Sequence, residues 1–129
     1  MGMFDGLEKM FSFKSKEQLE KERLEFEARI FPLGVEETRA RILEALRPYF
    51  RKKADTTEIL YPFLMAKQQY LDQTPLEDIA RAVKKSAFRV GDTEARAVLA
   101  LVLLEQDAGS IADYPTAQEV EKKMPEIAL

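Results

Sequence analysis

Glu22 and Glu25 stand three residues apart with Glu17, Glu20 and Glu27 around them, a spacing that can set carboxylates on one side of a helix. Such carboxylates could hold a divalent cation or exchange protons. The di-iron sites of helix bundles, however, require Glu-x-x-His pairs, and the 129-residue chain contains no His. The same stretch interleaves Lys16, Lys21, Arg23 and Arg29, and Glu17–Lys21 and Glu25–Arg29 have the favourable i,i+4 order of helix ion pairs. A solvated charged face accounts for these acids, so no metal site is expected. The absence of Cys excludes thiolate zinc sites, iron–sulfur clusters, disulfides and a cysteine nucleophile. Ser12, Ser15, Ser86 and Ser110 lack a Gly-x-Ser-x-Gly setting, and only Lys or a carboxylate could activate them. Glycines 2, 6, 34, 91 and 109 never cluster into a phosphate-cradling loop. The expectation is a chain with no catalytic residues and no cofactor, and not an enzyme.

Two features could serve binding instead. Met3, Phe4, Leu7, Met10 and Phe11 fall on one face of an expected helix near 3–12, and Met and Phe make adaptable contact surfaces. Spacing of this kind suits a helix that inserts anchors into a partner groove or a homodimer. Lys9 and Lys14 are its bases, set against Asp5 and Glu8, which disfavours an anionic membrane surface. The second feature is basic: residues 34–53 carry +3 and residues 74–90 carry +2 in a chain of net charge −3. If these ends converge, Arg47, Arg51, Lys52, Lys53, Lys84 and Lys85 form a patch that would bind nucleic acid or another anion in a salt-sensitive, sequence-blind way. Helix-end electrostatics explains the same residues, so nucleic acid ranks second.

The elements that must position these groups read as helices throughout, with no alternating strand pattern. Ser15-x-x-Gln18, Asp55-x-x-Glu58, Thr74-Pro75-x-Glu77 and Thr116-x-x-Glu119 are helix-start signals, and Asp92 after Gly91 is a fifth. Helices are expected near 16–31, 35–53, 56–72, 75–89, 93–107 and 117–124, with kinks or breaks at Pro48 and Pro62. Ala97–Leu104 is apolar all round and should lie at the centre of its domain. The fold class expected is all-α: a compact bundle of six to seven helices around a central apolar helix near 93–107. The order of helix, basic end, Asp-Thr start and helix recurs over 35–72 and 75–107, as two helical hairpins would produce. Residues 1–14 are expected to be an N-terminal amphipathic segment and 15–129 a single helical domain.

Thr74–Val83 resembles the first helix of bacterial helix-turn-helix proteins, which implies a base-reading helix next. The following helix offers aliphatic Ala97–Leu104 where Arg, Asn, Gln or Ser would be needed. Met1–Gly6 and Asp107–Ile111 resemble TerB-like helical proteins of tellurite resistance. Ala108 interrupts that family's Asp-Gly motif and the first half lacks it, so no site residue carries over. No apolar run approaches the roughly 18 residues of a membrane span, and Met1–Asp5 shows no signal-peptide pattern. A cytoplasmic adaptor or regulatory protein that binds another protein, or itself, is the functional expectation.

Overall fold

A computed structural model describes residues 15–129, so the expected helix over 3–12 and its stripe Met3, Phe4, Leu7, Met10 and Phe11 lie outside the described residues. The described residues form six α-helices and three 3₁₀ turns, with no strand. None of these helices is long and apolar enough to cross a membrane. The chain divides into two compact units, Met1–Pro32 and Leu33–Leu129.

The first unit carries α1 (Lys16–Ile30). Ser15 starts it reciprocally: its hydroxyl accepts from the Gln18 N–H (3.1 Å), and the Gln18 side-chain oxygen accepts from the Ser15 N–H (3.3 Å). Arg23 bridges Glu20 and Glu27 along its surface, and the pairing with Arg23 holds the Glu20 carboxyl below its usual range. Glu20 and Glu27 thus share one basic neighbour on the exposed side of the helix.

The second unit contains α2 (Val35–Leu46), α3 (Thr56–Leu71), α4 (Leu76–Lys84), α5 (Asp92–Glu105) and α6 (Ala117–Lys123). As its apolar composition demands, α5 is the hub, packing against each of the other four. Ala95, Ala97, Val98, Leu99, Ala100, Leu101 and Val102 are all 0–1% exposed. Each buried Val or Leu there contributes about 1.5–3 kcal/mol relative to exposure. Around it close Ile42 and Leu46 of α2, Ile59 and Phe63 of α3, Ile79 and Val83 of α4, and Val120 of α6, all fully buried.

The prolines and helix ends follow or depart from expectation for local reasons. The break expected at Pro48 occurs: α2 ends at Leu46, and Arg47–Tyr49 tightens into a 3₁₀ turn. Pro62, by contrast, is accommodated: α3 runs through it, with its ring buried. Helix α4 begins at Leu76 with Pro75 in the cap position and no side-chain cap, so Thr74 does not play the role its motif suggests. The N–H of Thr74 is spent on the Gln69 carbonyl (3.0 Å) and that of Gln73 on Tyr70 (3.0 Å), closing the end of α3. Finally, α4 stops at Lys84 rather than 89; Ala87 is exposed beyond the helix, and Leu76 at its start is 40% exposed.

Candidate interaction surface

The loop from α2 to α3 is compact because it is tied to itself. The Phe50 N–H donates to the Arg47 carbonyl (3.2 Å) and the Ala54 N–H to Arg51 (3.0 Å). The Arg47 guanidinium reaches across to the Ala54 carbonyl. Asp55 then starts α3 by accepting from the Glu58 N–H at 2.8 Å. The loop from α4 to α5 is equally tight: Ser86 donates to Val83 (3.1 Å) and Arg89 to Ser86 (3.0 Å) through their backbone groups. Arg89 is forced to φ +50°, a left-handed conformation that costs a residue with a side chain roughly 1–2 kcal/mol. Glu94 closes the turn by accepting from the Gly91 N–H at 2.9 Å.

These two loops meet. Between them lies a cleft of about 170 Å³ whose apolar lining is Phe50, Ala54, Phe88 and Val90. Ala54 and Val90 are buried, while Phe88 stands 41% exposed at the surface. Tyr61, 44% exposed one turn along α3 from Glu58, meets the Phe88 ring edge-to-face with centroids 5.4 Å apart. Charged groups complete the lining: Arg51, Glu58, Arg89 and Glu94. Arg51 grips both oxygens of Glu58 from one nitrogen, at 2.7 and 2.6 Å.

The expected basic patch is therefore brought together only in part. Arg51 lies at the cleft, but bound to Glu58; Arg47 is spent on the Ala54 carbonyl, and Lys84 pairs with Asp92 at 2.8 Å. Lys52, Lys53 and Lys85 are exposed. Sequence reasoning missed Phe50, Tyr61, Phe88 and Arg89. The available signal was an aromatic followed by a basic residue at each loop, Phe50-Arg51 and Phe88-Arg89, each just before a helix start.

A second constellation was also missed. Lys67 of α3, Glu105 at the end of α5 and Tyr114 in the following loop are 3%, 7% and 3% exposed. Glu105 faces the Lys67 ammonium with one carboxylate oxygen and accepts from the Tyr114 hydroxyl with the other. Burial, and then the charge and hydrogen bond of Glu105, hold the Tyr114 phenol above its ordinary range. The carboxylate thus has a partner on each side, and the trio ties α3 to the end of α5 and the loop after it. Among the described residues there is no cluster of three or more Asp, Glu, His or Cys placed to hold a metal ion.

Comparison with protein-family models, with curated proteins and with solved structures finds no match to this chain.

Proposed function

We propose that this chain is a non-catalytic, cytoplasmic adaptor or regulatory protein that docks a partner protein on the cleft between the α2–α3 and α4–α5 loops. The observation that carries this reading is the Tyr61–Phe88 pair, two rings more than two-fifths exposed and in contact, of which Phe88 lines the cleft. Leaving that aromatic area in water forgoes burial, and Tyr is among the residues that dominate protein interfaces. Size supports the same reading. A cleft of about 170 Å³ falls below the roughly 300–1,000 Å³ of small-molecule sites. It is suited to one anchoring side chain.

A second reading is single-stranded nucleic acid. Exposed aromatics beside Arg89, Lys52 and Lys53 offer the stacking and charge that such ligands use. Salt separates the two, because phosphate contacts fade steeply between low and physiological salt.

The test is affinity capture from native extract at moderate salt, using wild-type, Phe88→Glu and Leu7→Glu proteins whose folding is checked by circular dichroism. A stoichiometric protein kept by wild type and lost by folded Phe88→Glu supports the reading. If Leu7→Glu alone loses it, the N-terminal stripe is the contact. Identical capture by all three ends the reading.

A further inference from the structure

The charges around the cleft are not equivalent, and their difference points to the chemistry of the occupant. Glu58 is committed to Arg51, whereas Glu94 accepts from the Gly91 N–H, a neutral donor, and keeps its charge. Arg51 is likewise spent on Glu58. Arg89 has no ion-pair partner among the described residues, and neither do Lys52 and Lys53 on the loop that carries Arg51 and Ala54. The four charges lining the cleft cancel, and the cationic surplus lies on the two loops that form it: residues 47–55 carry four bases against Asp55, and residues 85–91 carry two bases and no acid, although the chain as a whole carries −3.

Arg89 is also where the backbone is strained. A turn at φ +50° is one that glycine would adopt without penalty, and an arginine held there keeps its guanidinium at the cleft at a cost in stability. Strain retained beside an exposed aromatic and a side-chain-sized cavity is what a recognition residue would show.

We propose that the cleft recognises an acidic peptide segment, with one large apolar side chain entering between Phe50 and Phe88 and flanking carboxylates meeting Arg89, Lys52 and Lys53. This rests on the docking reading above and adds the partner's chemistry. Arginine supplies a planar fork matched to carboxylate, and the lysines add attraction that steers the approach.

The experiment selects a random displayed peptide library on the full-length protein, with counter-selection on Phe88→Glu. Affinities of the enriched peptides, and of an oligo(dT) strand, are then measured by fluorescence anisotropy at low and physiological salt. The expected consensus is a large apolar residue flanked by Asp or Glu. Arg89→Glu should weaken these peptides about tenfold or more, and exchanging their acids for Lys should restore binding to that variant. Arg89→Gly removes the charge while relieving the backbone, so its loss of affinity cannot be blamed on misfolding. Peptides without acidic bias that still depend on Phe88 overturn the acidic partner and leave the docking surface standing. Failure of any peptide to distinguish wild type from folded Phe88→Glu overturns both. Oligo(dT) bound more tightly than every selected peptide overturns both in favour of nucleic acid.

Discussion

Lys67 and Glu105 face one another as an ion pair inside the second unit, at 3% and 7% exposure, with Tyr114 donating to the far oxygen of the same carboxylate. Removing one member of such a pair strands the other charge without water. Lys67→Met should cost about 3–5 kcal/mol, and Glu105→Leu a similar amount. Combining them with Tyr114→Phe, which spares the phenol from losing its acceptor, should recover most of that loss. Urea unfolding of the single and triple variants checks this; additive losses would show that the side chains act independently of one another.

Tyr114 also sets an alkaline limit. Its phenol is held above the ordinary value of 10.0, by burial first and then by Glu105. The folded chain thus keeps a proton that the unfolded chain releases above about pH 10, and stability falls as pH rises beyond that point. Below it the contribution is fully present. Tyr49 shares the direction, through its own burial and then the charge of Glu121. Stability measured across the alkaline range should therefore decline less steeply in Tyr114→Phe than in wild type, without becoming flat.

Asp55 and Thr74 are starts of similar appearance with different fates. Asp55 accepts the Glu58 N–H, while α4 has no side-chain cap at all. Asp55→Ala should cost about 1 kcal/mol and Thr74→Ala much less. Thermal melts of the two variants decide it, and equal losses would restore the capping role of Thr74.

Among the described residues Gln73 and Arg89 are the two non-glycine residues at positive φ, at +67° and +50°. Gln73 closes α3 where glycine is the usual choice. Gln73→Gly should stabilise the fold by up to about 1 kcal/mol, with no effect on docking. Arg89→Gly should match or exceed wild-type stability while losing peptide affinity. Paired melting and anisotropy measurements separate these outcomes, and retained affinity in Arg89→Gly removes that side chain from the site.

Local grammar was readable in the sequence wherever a side chain satisfies its own helix. Ser15, Asp55 and Thr116 cap as their motifs indicate, and uniformly apolar Ala97–Leu104 announces the central helix. Thr74 misleads because Pro75 takes the cap position, and the Thr74 N–H that Glu77 would have to reach back to is bonded to the helix before it, a competition its own motif cannot reveal. The cleft was illegible for a different reason. Phe50 and Phe88 read as ordinary apolar residues near helix ends, and only the meeting of two loops leaves one of them beside an exposed Tyr61. Lys67 and Glu105 were hidden by their type, since a charge at the border of an apolar stretch reads as surface.

The cleft draws its two sides from loops that are far apart in the chain and become neighbours only once their helices have docked on α5. An unfolded chain therefore has no equivalent of it, and any occupant binds the native form alone. At a free concentration a hundred times its dissociation constant, such an occupant adds about 2.7 kcal/mol to the free energy of unfolding. For a domain of this size that is a sizeable share of the total. Supply of the partner would then govern how long the chain survives proteolytic turnover, tying its abundance to that of the molecule it serves.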